Sequence, residues 1–158
     1  MTHDELCERA ARWLRNTKKC AFVLREAVSQ VSETPDAIGW RYGRSVLVEC
    51  KTSLSDFMAD RKKPFRHANA GMGEERFYMT SPKLLTAVMM PDGWGLLEVH
   101  GRSVMVLKSS TPRTLEPTYY RNELMLMVRG IRLANGEDKR PTKRSAALVR
   151  PDTKRKAP

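Results

Sequence analysis

Apolar positions near the start of the chain recur with a helical period: Leu6, Ala10, Trp13 and Leu14 fall at i, i+4, i+7 and i+8, with charged residues between them. The spacing predicts a helix from Asp4 to Arg15, with Thr2 as its cap and Glu5 completing a capping box. Cys20 to Leu24 reads as a short apolar strand. Ala37 to Trp40 and Val46 to Val48 read as two strands joined by a turn at Tyr42-Gly43-Arg44-Ser45, a hairpin. Ser53 to Ala59 then predicts a short helix, Gly71-Met72-Gly73 a loop, and Arg76 to Thr80 a strand. Ser81 as N-cap and Pro82 at the first helical position predict a helix over Lys83 to Met90. Gly95 to Val99 and Ser103 to Leu107 flank His100-Gly101-Arg102 as a final hairpin. Tyr119 to Leu133 predicts a closing helix, with Leu124, Val128 and Ile131 near one face. No internal repeat interrupts this order. It suits an α/β sandwich in which a mixed sheet is flanked by helices.

Length and composition fit one small domain. The 158 residues suit a single core, and 41% of them are apolar. The domain is expected over residues 1–134. Residues 135–158 hold eight Lys or Arg against three acids, with three prolines and almost no large apolar side chain. That composition predicts a disordered basic tail, serving either as a nonspecific nucleic-acid arm or as a solubilising extension. The whole chain carries a formal net charge of +11 and a pI near 10, which favours a polyanionic partner. Cys7, Cys20 and Cys50 lack the spacing of a zinc knuckle or a disulfide framework. His3, His67 and His100 lie far apart and read as ordinary surface histidines. With no apolar signal core and no run approaching membrane-span length, a cytoplasmic protein without membrane contact is expected.

The hairpin changes the picture. It brings Asp36, at the open end of its first strand, back toward Glu49 and Lys51 at the open end of its second. Side chains alternate along a strand, so Glu49 and Lys51 share one face and Cys50 points to the other. A Glu-x-Lys triplet alone is a common same-face ion pair. Joined to an upstream Pro-Asp on apolar strands, it offers the parts of a metal-dependent phosphodiesterase. Magnesium or manganese takes hard oxygen ligands, here the carboxylates of Asp36 and Glu49 with the backbone carbonyl of Cys50. Lys51 would orient the attacking water or stabilise the pentacovalent phosphorus.

Pro35-Asp36 with Glu49-Cys50-Lys51 resembles the motif of the PD-(D/E)XK nuclease superfamily. The segments Glu33–Trp40, Glu49–Pro64, Phe77–Met79 and Pro91–Glu98 look like a compact branch found in bacteria and their phages, of MmcB-like DNA-repair type. The likeness covers roughly residues 2–134. It implies a restriction-endonuclease-like α/β sandwich and a magnesium- or manganese-dependent DNA endonuclease, in repair, recombination or phage biology. The superfamily also contains inactive members that only bind. Its enzymes often add a glutamate from the first helix, for which Glu8 is the candidate; Glu26, just past the first strand, is the rival.

Other positions take supporting roles. Glu33 is expected either to support the site from behind its ligands or to stabilise its loop, and Asp56 and Asp60 to lie on a helix surface or pair with Lys62 and Lys63. Arg61, Lys62, Lys63 and Arg66, with Phe65 available to stack, are the candidates for gripping a phosphate backbone. Arg76 and Tyr78 share a strand face and could line the same cleft. Trp94 reads as core. The rival to a nuclease is a catalytically silent nuclease-fold protein that binds DNA or a protein partner. A basic RNA-binding module lacks its aromatic strand pattern here. A homodimer would follow if both strands are cut.

Overall fold

Thr2 Oγ1 accepts the Glu5 amide and Glu5 returns a bond to the Thr2 amide, so the expected capping box opens helix α1 (His3–Asn16). The computed structural model describes residues 1–26, 33–67 and 69–137, and the backbone of 147–148. α1 is followed by strands β1 (Phe22–Arg25), β2 (Ala37–Arg41) and β3 (Arg44–Lys51), helix α2 (Leu54–Asp60), strands β4 (Glu75–Thr80), β5 (Trp94–His100) and β6 (Ser103–Lys108), helix α3 (Pro117–Ala134) and a two-residue strand β7 (Ala147–Leu148). The fold is α/β. One mixed sheet runs β6-β5-β4-β3-β2-β1-β7. β1, β2 and β3 are antiparallel neighbours, β3, β4 and β5 run parallel, and β6 returns antiparallel. The tight β2–β3 turn has Tyr42 at φ 48° and Gly43 at φ 75°, the left-handed pair that matches the twist of a two-residue hairpin.

Period two divides the sheet's side chains into two cores. Val46, Val48 and Cys50 of β3 join Ala37, Phe77, Met79 and Leu97 beneath α1, which buries Leu6, Cys7, Ala10, Ala11, Trp13 and Leu14 against them. On the other face Leu47 and Tyr78 join Ile38, Trp94 and Leu96, covered by Phe57 of α2 and Leu126 of α3. Trp94 is fully buried, as expected, and stacks on Tyr78 with ring centroids 4.5 Å apart.

Two expectations fail in informative ways. The segment after Ser81 is not an α-helix: Lys83 sits at φ 63°, which a right-handed helix excludes, and its amide goes to Glu98 Oε2 at 2.7 Å. Only a single 3-10 turn, Ala87–Met89, remains there. In α3 the face expected inside is outside, with Leu124, Val128 and Ile131 all exposed. The helix instead buries Glu123, Leu126 and Gly130. Glu123 is the reason: its carboxylate accepts from Trp40 Nε1 (2.9 Å), Ser45 Oγ (2.8 Å) and the Gly73 amide (2.8 Å), which satisfies a buried charge. Gly130 lets the helix approach Leu24 so closely that a Cβ would stand 2.5 Å from its Cδ2. The tail expected to be disordered lies outside the described residues beyond Glu137, apart from Ala147–Leu148, which pair with β1. Among the described residues no helix is long and apolar enough to cross a membrane.

Candidate active site

Register builds the site. Ala37 pairs with Val48, so one step further along the ladder Asp36 stands opposite Glu49. On the next strand Glu49 pairs with Tyr78. The Glu26 amide donates to the Asp36 carbonyl at 2.9 Å, which adds Glu26 to the same row. Asp36 is held by the Cys50 amide, which donates to its Oδ2 at 2.7 Å. The sequence therefore places Asp36, Glu49 and Lys51 together at one end of β2 and β3, with Cys50 turned to the α1 side as alternation requires.

Glu49 and Lys51 are buried, and their surroundings are more ionic than the sequence suggests. Lys51 Nζ lies 3.7 Å from Glu49 Oε2 and 3.4 Å from Asp60 Oδ1. Arg66 enters the same cluster: its guanidinium reaches Glu33 at 3.0 Å, Glu49 at 2.8 Å and Asp60 at 2.7 Å. Tyr78 Oη donates to Asp60 at 3.0 Å, and Lys63 Nζ lies 2.6 Å from the same residue. Burial pushes the Glu49 carboxyl up to about 8; the fields of Arg66 and Lys51 oppose this, and those of Asp36 and Asp60 add to it. Burial alone would lower Lys51, but Glu49, Asp60 and Asp36 outweigh it and hold the ammonium above its ordinary value. For Asp60 the desolvation is overcome by Arg66 and then Lys51, so its carboxylate stays ionised well below the usual range.

Several expected site residues fall elsewhere. Arg66 is 4% exposed, Arg76 3% and Tyr78 0%, so none of the three presents its polar end to a phosphate backbone. Pro64 starts a 3-10 turn that carries Arg66 back inward, out of the basic run. Arg76 instead donates to the carbonyls of His67 and Ala70 and lies over the Trp94 ring, 4.7 Å from its centroid. Arg61, Lys62 and Lys63 remain exposed beside the acid cluster, and Arg61 borders a cleft of about 420 Å³ shared with Arg66, His67 and Met90–Asp92. Asp60, expected on a helix surface or paired with a neighbouring lysine, does pair with Lys63 but is 1% exposed. Glu33 accepts the amide of Met72, in a loop far along the chain, at 2.8 Å and pairs with Arg66 at 3.0 Å behind Glu49.

The two rival acids also separate. Glu8 is exposed on α1, paired with Arg12 at 3.2 Å and Arg25 at 3.0 Å. Glu26 sits in the Asp36 row with its backbone at φ 48° and its carboxylate 3.9 Å from Arg25. From α1 it is His3, not Glu8, that meets Asp36: His3 Nε2 lies 3.4 Å from Asp36 Oδ1 and 3.3 Å from Cys7 Sγ. His3 is thus no ordinary surface histidine. The signal was in the spacing, because His3, Cys7, Ala10 and Leu14 continue one i, i+4, i+7 helical stripe.

No family model matches the chain, and no curated protein matches it in sequence. Its structure is similar to that of a protein of unknown function from Silicibacter pomeroyi, with a TM-score of 0.63 and 19% identity over 91% of this chain and 99% of that one. The likeness is one of fold.

Proposed function

We propose that this chain is a metal-dependent DNA endonuclease of the PD-(D/E)XK type, with a restriction-endonuclease-like sandwich as its scaffold. The carrying observation is that the backbone positions of Asp36 and Glu49 stand opposite each other in register, with Lys51 on the Glu49 face two residues on. The order α1-β1-β2-β3-α2-β4, with three antiparallel strands and a fourth parallel to β3, supports the scaffold.

The donor set fits a hard divalent cation. Glu49 Oε1 is buried with no hydrogen bond of its own, Arg66 standing near it but off the bonding direction, and Asp36 occupies the neighbouring position just before β2 with its carboxylate toward His3. Asp36 and Glu49, with the Cys50 carbonyl, would hold magnesium or manganese, which lowers the pKa of bound water and neutralises charge on the scissile phosphate. Lys51 stays protonated between Glu49 and Asp60, so its ammonium is available to orient the attacking water and to meet charge developing on phosphorus. Arg61, Lys62 and Lys63, exposed beside the cluster, supply backbone contacts that carry no sequence information. A homodimer would present two such sites to a duplex.

A second reading has its own observation. Arg66 already gives Glu49 a permanent positive partner, the role a metal would play, and that suits a nuclease fold that binds DNA without cutting it. Cleavage of labelled single-stranded, duplex and branched DNA in magnesium, manganese or EDTA separates the two, with Asp36→Asn and Lys51→Ala as variants. Metal-dependent cutting abolished in both variants supports the enzyme. A folded wild type that binds but cuts none of these substrates leaves only the binding reading.

A further inference from the structure

α1 delivers two side chains to Asp36 that a magnesium-dependent nuclease does not require. His3 and Cys7 are four residues apart on one helical face, and Asp36 reaches them from the turn before β2. The imidazole Nε2, the Cys7 sulfur and an Asp36 oxygen all lie within 4.8 Å of one another. The nitrogen is 3.3 Å from the sulfur and 3.4 Å from the carboxylate oxygen. Donors bound at about 2.0 Å for nitrogen or oxygen and about 2.3 Å for sulfur around a tetrahedral zinc stand roughly 3.3–3.5 Å apart.

The hydrogen bonding of the cluster points the same way. A single ring nitrogen carries at most one proton, yet Nε2 faces both a thiol sulfur and a carboxylate. If it donates to Asp36 it has nothing for Cys7; if it accepts from Cys7 it turns a lone pair toward Asp36. A cation at their centre satisfies all three. Solvent has a route in, because the side chains of His3 and Asp36 are 35% and 17% exposed. Sulfur and imidazole select borderline or soft cations over magnesium.

We propose that His3, Cys7 and Asp36 form a three-donor binding site for a zinc-class divalent cation, with the fourth position open to water. The site is separate from the carboxylate pair proposed for magnesium, although Asp36 belongs to both. It needs no nuclease activity.

Cobalt(II) is the probe, since thiolate ligation gives a near-ultraviolet charge-transfer band and tetrahedral geometry an intense visible band. Untagged full-length protein, kept reduced, is titrated with cobalt and then with zinc. The expected result is one cobalt per chain with both bands, displaced by zinc. Cys7→Ser should remove the charge-transfer band, and His3→Ala should weaken binding beyond the 10–100-fold that loss of an outer partner costs. Cys20→Ala and Glu49→Gln should leave the spectrum intact. Because His3 is partly exposed in the first turn, its variant tests the site without emptying the core. Absence of the bands overturns the proposal, as does a spectrum unchanged by Cys7→Ser or binding undiminished in His3→Ala. Wild type keeps the two readings distinct: cobalt bands with no cleavage of any DNA would remove only the nuclease, and cleavage without bands only this site.

Discussion

Replacing Arg66 by Met isolates the ionic lock around Glu49. The side chain is 2% exposed and touches three carboxylates, so its loss strands buried negative charge. Those acids are unequally protected. Asp60 retains Lys63 at 2.6 Å and Lys51 at 3.4 Å, and Glu33 retains the Met72 amide at 2.8 Å. Glu49 is left with Lys51 alone, at 3.7 Å. Breaking a buried pair by removing one partner typically costs about 3–5 kcal/mol. With a urea m-value of about 1–3 kcal/mol/M, a 4 kcal/mol loss moves the midpoint down by roughly 1–4 M. Equilibrium urea unfolding at neutral pH is the assay. Adding Glu49→Gln should recover about 0.5–3 kcal/mol, the range of coupling between contacting groups. Manganese should stabilise Arg66→Met more than wild type if the vacated position accepts a cation. A loss below about 1 kcal/mol, or a double variant with no recovery, would refute the view that Arg66 holds these acids in place.

Two further outcomes concern the scaffold. Burial raises the Glu123 carboxyl above its ordinary 4.5, while its bonds from the Gly73 amide, Trp40 and Ser45 oppose the rise. The folded state thus holds this proton more tightly, so the group's contribution is complete below about pH 4.5 and is lost as pH rises through its folded-state value. Urea midpoints of wild type minus Glu123→Gln should narrow as pH increases from 4 to 8; a difference that widens would reverse the sign. The same substitution turns an amide N–H toward Trp40 Nε1 and should cost about 1–3 kcal/mol near neutrality. Gly95→Ala should also destabilise by about 1–3 kcal/mol, because its Cβ would stand 2.7 Å from the Lys108 carbonyl oxygen and 2.4 Å from the Phe77 ring. Thermal unfolding unchanged from wild type would show that β5 and β6 can separate at no cost.

Local patterns were legible where they act alone. The capping box of α1, the Tyr42-Gly43 hairpin and the alternation that sends Glu49 and Cys50 to opposite faces all follow from a few adjacent residues. What the sequence hid came from partners distant along the chain. α3 turns outward the stripe that periodicity would bury, because Trp40, Ser45 and Gly73 supply three donors to Glu123, and none is visible from the helix itself. Arg66 looked like a member of an exposed basic run until Glu33, Glu49 and Asp60 were folded around it. The helix expected after Ser81 had a correct cap and first-turn proline, yet Glu98 draws the Lys83 amide into a left-handed turn. The Asp36–Glu49–Lys51 juxtaposition was accessible in advance because a short hairpin alone sets it.

Glu33, Asp36, Glu49, Lys51, Asp60 and Arg66 all belong to one uninterrupted stretch of chain. The ion pairs of the cluster therefore close within one local segment, to which β4 adds only the Tyr78 hydroxyl. β5, β6 and α3 contribute cover rather than charge to that cluster. Substitutions on those three elements therefore reach the cluster through its apolar cover and leave its ion pairs in place.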